Sequence, residues 1–347
     1  MLLEVENLST EFRTRSRTVR AVDDVSFTVA EGETVAVVGE SGSGKSVTAL
    51  SIMGLVQAPA GRVTGGSIRF EGEDLLSVKD PRRIRGSRVA MVFQDPMSSL
   101  NPVLTIGRQL TEAMRAHRSL SREEARTRAV ELLQLVGIPD AATRLRSYPH
   151  QFSGGMRQRV MIAMGLSCDP ALILADEITT ALDVTIQAQI LEVLDRVRTE
   201  LGTAVLLITH DLGVVARMAE RVTVMYGGQI VETATTADLF AAPRMPYTWG
   251  LLASVPRLDS DRSQPLVPIE GTPPDLSQPQ PGCRFAARCA FAREICRTRP
   301  PALEVVRPGH LARCWGTQEH PDGGWLRGVD GTDREALAVL ADAGKVA

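Results

Sequence analysis

No stretch of the 347-residue chain approaches the ~20 consecutive apolar residues that crossing a bilayer requires. Neither sign of charge is in excess: 39 Lys and Arg stand against 41 Asp and Glu, a formal net charge of −2. That balance argues against a protein whose main partner is duplex nucleic acid, because counterion release needs a basic face. The opening residues, MLLEVENLSTEF, hold acids where a secretory signal is cationic and then apolar, so the chain is expected in the cytosol, touching membranes only peripherally. Internal repeats are absent. Cysteine is scarce, and four of the five, Cys283, Cys289, Cys296 and Cys314, fall in the last fifth of the chain. In a reducing compartment such clustering favours a metal site over a disulfide framework. The fifth, Cys168, lies in an apolar stretch and reads as core.

What is present describes a globular α/β protein: 44% hydrophobic and 23% charged residues, enough for a sizeable core and, at this length, two compact units. LLEV, AVDDVSFTVAEGE and TVAVVG read as strands, the last leading into a Gly/Ser loop and then a helix from Lys45. GSIRFEG and SRVAMVF are two more strands. Residues 105–167 turn helical, with Ser121 and Glu124 forming a capping box. Strand signals return in ALILADE, AVLLITH and VTVMYGGQIVE, the last a strand pair across a Gly-Gly turn, with a helix over VTIQAQILEVLDRVRTELG. The alternation implies a mostly parallel sheet covered on both faces. Residues 258–282 contain six prolines and read as a linker. A Cys-bearing module follows over 283–315, then a tail over 316–347 with one short helix, DREALAVLADAG.

Three motifs carry chemistry. GESGSGKS, comprising Gly39, Glu40, Ser41, Gly42, Ser43, Gly44, Lys45 and Ser46 and followed by Val47, sits between a buried strand and a helix, the context of a phosphate loop. Its backbone N–H groups would wrap phosphates, Lys45 would reach the β and γ phosphates and Ser46 would ligate Mg²⁺. ALILADE ends in Asp176 and Glu177, at the strand end where open α/β sheets bind ligands. Asp176 can hold Mg²⁺ and Glu177 can orient or deprotonate a water; alone, the pair also fits a strand that meets solvent with two acids. FSGGMRQRV places Ser153, Gly154 and Gly155 before a helix containing Gln158, a second anion-binding helix N-terminus or, more plainly, an N-cap turn.

In order and spacing this set resembles the nucleotide-binding subunits of ABC transporters: phosphate loop, FSGGMRQRV, ADE, TALD (residues 180–183) and the histidine of ITHD. The resemblance implies a P-loop ATPase of the ABC type over 1–257, a mixed β-sheet core with a helical subdomain at about 95–167. It implies that Ser153–Gly155 of one subunit close on nucleotide bound by the other, in a head-to-tail dimer. It makes Gln94 the glutamine that contacts Mg²⁺ and water, His210 the switch histidine at the γ-phosphate, Asp183 a residue crossing the dimer interface and Phe12 the aromatic that stacks on adenine. Ile178 replaces the family's usual proline and Phe152 its usual leucine; Glu177 is kept, so hydrolysis is expected to survive.

VFQDPMSSLNP, TTALDVTIQAQIL, MPYTWGLLASVP and the GCRF…RC…EIC…GHLARC module are similar to the peptide importers, some of which carry nickel. That resemblance implies a peripheral subunit on the cytoplasmic face of the membrane. Its partners would be a second ATPase, two permeases and an extracytoplasmic binding protein, without nucleic acid. The four cysteines have five, six and seventeen residues between them, and four thiolates suit Zn²⁺ or an iron–sulfur cluster, or remain free or paired as disulfides; the resemblance favours 4Fe-4S. Seven arginines between Cys283 and Cys314 make that stretch basic, either as a solvated surface or as a face toward anionic headgroups. Readings from other classes are a soluble ABC-type ATPase acting on nucleic acid or ribosomes, and an idle partner whose cysteines sense iron or redox state.

Overall fold

A computed structural model describes residues 1–14, 16–179, 183–254 and 268–320 of the chain. Twelve strands are described in two sheets. β1 (Leu3–Arg13), β2 (Thr18–Val29), β4 (Gly61–Phe70) and β5 (Glu73–Asp74) form an antiparallel sheet ordered β2-β1-β4-β5. The larger sheet contains β3 (Thr34–Val38), β6 (Val89–Val92), β7 (Leu172–Asp176), β8 (Ala204–Thr209), β9 (Arg221–Tyr226), β10 (Gln229–Thr235), β11 (Glu304–Arg307) and β12 (His310–Ala312). Its order is β11-β12-β10-β9-β3-β8-β7-β6: β6 to β9 pair in parallel with β3 among them, and β10, β12 and β11 add an antiparallel edge.

The parallel strands are apolar throughout because both faces are covered, and their two-residue period divides them between cores. Val35 and Val37 of β3, with Leu206 and Ile208 of β8, face the antiparallel sheet and α1 (Lys45–Ile52). Ala36 and Val38 face the opposite way, onto Leu212, Val215, Tyr226, Tyr247 and Phe285. Val205 and Leu207 join the core of the helical region.

That region comprises α2 (Pro96–Ser99), α3 (Ile106–His117), α4 (Arg122–Leu135), α5 (Ala141–Arg144) and α6 (Gly154–Gly165). Leu110, Met114, Leu132, Leu133 and Ile162 are fully buried where these helices meet. Ser121 and Glu124 form the capping box of α4 in both directions, and Gly227–Gly228 turns β9 into β10. Further helices are α7 (Val184–Leu201), α8 (Leu212–Met218), α9 (Thr236–Ala241), α10 (Pro246–Ala253), α11 (Glu294–Thr298) and α12 (Trp315–Glu319). Among the described residues no helix is long and apolar enough to cross a membrane.

The C-terminal segment does not stand apart as a module. β12 hydrogen-bonds to β10, with Glu232 opposite Ala312 and Thr233 opposite Leu311, so the segment continues the cassette's own sheet. Its composition hid this, because three-residue β12 is too short to show a period. Residues 268–282 of the expected linker carry neither helix nor strand; residues 258–267 and the tail helix lie outside the described residues.

Candidate functional site

Residues 39–44 leave the C-terminal end of β3 and close onto α1. Two glycines are sterically obligatory: at Gly39 (φ +152°) a Cβ would stand 2.1 Å from the Met225 carbonyl oxygen, and at Gly44 (φ +103°) 2.5 Å from that of Ala21. The loop wraps the Lys45 ammonium, which donates to the carbonyls of Gly39 (2.8 Å) and Glu40 (2.9 Å). Burial pushes this ammonium below its ordinary pKa, against the pull of Glu177, Asp176 and Glu40. Ser41 and Gly42 are exposed at the loop's tip, Ser43 is buried, and Val47 packs into the core beneath α1.

Neighbouring strand ends bring the remaining chemistry. Ser46 Oγ donates to Asp176 Oδ1 at 2.9 Å, and burial raises the Asp176 carboxyl above the usual carboxylate range. This hydroxyl and carboxylate are hard oxygen donors of the kind Mg²⁺ takes. Glu177, held at φ +48° with its N–H on the Ile208 carbonyl (2.9 Å), accepts from Gln94 Nε2 at 3.0 Å and lies 3.5 Å from His210 Nδ1. The left-handed backbone turns its side chain between Gln94 and His210. These three residues come from the ends of β6, β7 and β8, adjacent parallel strands, at the sheet edge where such folds bind ligands.

Other expected site residues lie elsewhere. Ser153 caps α6, with Oγ accepting from the Met156 N–H at 3.4 Å. Ser153 and Gly154 are exposed, and among the described residues no hydrogen bond joins them to the phosphate loop. Gly155 is buried against Ile186. Gln158 faces inward at 1% exposure, its Nε2 without a hydrogen-bond partner among the described residues, so it does not open onto the face that carries Ser153. Asp183 caps α7 by accepting from the Ile186 N–H (2.9 Å); residues 180–182 of TALD lie outside the described residues. Phe12 is partly buried on β1 opposite Gly61, with its ring against that glycine. Ile178 and Phe152 are buried, as is Cys168.

The sequence reading missed a set of groups behind the loop. The Glu40 N–H donates to Tyr247 Oη (2.8 Å), and its carboxylate is gripped by Arg288 at 2.6 and 2.9 Å. Arg284 binds Asp23 and the Gly227 carbonyl, and Arg313 donates to the Ile230 carbonyl at 2.9 Å. The expectation of a basic outer face is therefore corrected for these three arginines, which point inward. The only prior signal was the arginine count, which says nothing about direction.

The four cysteines line one cavity of about 20 Å³ together with Met245, Phe291 and Trp315. All are free thiols; burial pushes Cys283 up to about 11 and raises Cys289 and Cys314 as well. Among the described residues no three His, Cys, Asp or Glu side chains are grouped so as to hold a metal ion. The expected metal or cluster site is corrected to that extent: the cysteines share a cavity without forming a ligand set as they stand.

A phosphate loop, a paired hydroxyl and carboxylate, and a carboxylate set between glutamine and histidine define a nucleoside-triphosphatase cassette. The ABC transporter family model matches residues 22–180, and that of the oligopeptide/dipeptide transporter C-terminal region matches 231–296. The chain is 53% identical to the dipeptide transport ATP-binding protein DppD of Bacillus subtilis, over 90% of this chain and 94% of that one. It is 54% identical to the oligopeptide transport ATP-binding protein AppD of the same organism, over 92% and 97%. Among solved structures, a dimeric ATP-binding cassette in a post-hydrolysis state with ADP and Pi superimposes with TM-score 0.60 at 29% identity, over 67% of this chain and 98% of that one. The chain belongs to the ATP-binding subunits of peptide-type ABC transporters, and it is an ATPase.

Proposed function

We propose that this subunit drives import of di- or oligopeptides by hydrolysing ATP at a head-to-tail ATPase dimer on the cytoplasmic face of the membrane. Its partners are a second ATPase, two permeases and an extracytoplasmic binding protein. The peptide cargo follows from the relatives' names and the C-terminal match. The observation that carries the motor reading is the convergence of Gln94, Glu177 and His210 beside Lys45 and the Ser46–Asp176 pair. In this reading Glu177 takes a proton from water, with Gln94 donating to its Oε2 and His210 3.5 Å from its Oε1, and Lys45 stabilises charge on the transferred phosphoryl group. Ser46, Asp176 and Gln94 would hold Mg²⁺, which when bound neutralises phosphate charge. Ser153, Gly154 and Asp183, on exposed surface, would meet the second subunit, and Phe12 would lie toward the adenine.

E177Q is expected to lower turnover at least about 100-fold while MgATP binding persists. Unchanged turnover would refute the role of Glu177.

What supports a 4Fe-4S cluster, or zinc, is the four thiols around one cavity. Anaerobic purification with iron, sulfide and zinc analysis decides it: about four irons per chain and a band near ~400 nm, lost in C283S, mark the cluster. No metal leaves the ATPase intact and removes this reading.

A further inference from the structure

We infer that the C-terminal segment completes the ATP site by supplying Arg288 as a positioning residue that acts on the phosphate loop through Glu40. The inference rests on the phosphate-loop reading above. Arg288 is not a surface ion pair: its side chain is 4% exposed, and all five guanidinium N–H groups are used. Nε donates to the Glu270 carbonyl (2.8 Å), one terminal nitrogen to Glu40 Oε2 (2.6 Å) and Tyr226 Oη (3.2 Å), the other to Glu40 Oε1 (2.9 Å) and the Ile269 carbonyl (3.0 Å). The fork therefore has one orientation, and it fixes the carboxylate it grips.

Glu40 in turn has no freedom left. Its N–H is on Tyr247, its carbonyl holds Lys45 Nζ and its carboxylate is on Arg288. The charge matters as much as the geometry. Glu40 lies at the second position of a loop built to receive a triphosphate, near enough to Lys45 to act on that ammonium electrostatically. An unpaired carboxylate there would repel the phosphates and compete for Lys45; Arg288 neutralises it. Four residues earlier, Arg284 secures the loop's far end, binding the Gly227 carbonyl of the turn whose Gly228 N–H donates to the Ser43 carbonyl at 2.9 Å. One short segment thus holds both ends of the cradle.

The test is MgATP affinity of the full chain, measured by displacement of a fluorescent ATP analogue, with turnover at saturating MgATP. R288Q is expected to weaken MgATP about tenfold with turnover at saturation within about threefold, and E40Q/R288Q to return within about threefold of the parent affinity. A pair that merely docks the segment predicts no such recovery. The inference is overturned if R288Q keeps the parent affinity, or if E40Q does not rescue it. Should R288Q not fold, the same rescue is read on R288M, which removes the charge and keeps the apolar stem. K45A separates the two layers: if the parent chain and K45A bind MgATP equally, the phosphate-loop reading itself has failed.

Discussion

Asp176 is 8% exposed and ends a strand whose other residues are apolar, with Glu177 beside it adding like charge. Burial is the largest influence and raises its pKa, so the ionised form is disfavoured in the nucleotide-free protein. For a carboxyl raised on folding, the associated stability is fully present below the unfolded pKa and is lost as pH rises through the folded value. At neutral pH the ionised Asp176 therefore destabilises the folded chain. D176N keeps the acceptor for Ser46 and removes the charge. It is expected to raise the Tm of the nucleotide-free chain at pH 7, with the gain shrinking as pH falls toward about 4, and to lower MgATP turnover at least about 100-fold. Thermal scans across that pH range with and without MgATP check both signs; a lower Tm at pH 7 would contradict the charge argument.

Elements announced by a period or a cap were the ones readable from the chain. The apolar runs of β3, β7 and β8 marked a doubly covered parallel sheet, and Ser121 with Glu124 marked the start of α4. The loop over residues 39–44 was readable because Gly39 and Gly44 answer local demands of the backbone. What could not be read was direction over long separations. Arg288 reaches Glu40 across 248 residues, and His310 reaches Glu232 across 78; neither leaves a local pattern. Gln158, read from its motif as facing a ligand, is turned inward by the helix period in the single subunit. The α4 cap offers a test confined to its element. S121A removes one side of the capping box and is expected to cost about 1 kcal/mol of stability with ATP turnover unchanged. Chemical denaturation alongside an ATPase assay checks this, and a drop in turnover would tie α4 to the catalytic end.

Across the whole molecule, the joint between cassette and C-terminal segment is polar where it is most deeply buried. Glu232 is 0% exposed and His310 2%, with His310 Nε2 2.7 Å from Glu232 Oε1. Glu232 also accepts from the backbone N–H groups of Arg244 and Met245 (3.1 Å for Met245), and Thr317 Oγ donates to the Arg244 carbonyl. One carboxylate thus ties β10, β12 and the turn before α10, and α10 carries Tyr247, whose hydroxyl holds the Glu40 N–H. A chain of fixed groups runs from β12 to the phosphate loop by a route separate from Arg288. Removing one partner of a buried pair leaves the other unsatisfied, so H310A is expected to cost about 3 kcal/mol of stability. If Tyr247 and Arg288 both depend on the docked segment, H310A should also weaken MgATP, and unlike R288Q the loss should be recovered only in part by E40Q. Denaturation and nucleotide titration of H310A and E40Q/H310A measure both effects; full recovery by E40Q would mean that the segment reaches the ATP site through the Arg288 charge alone.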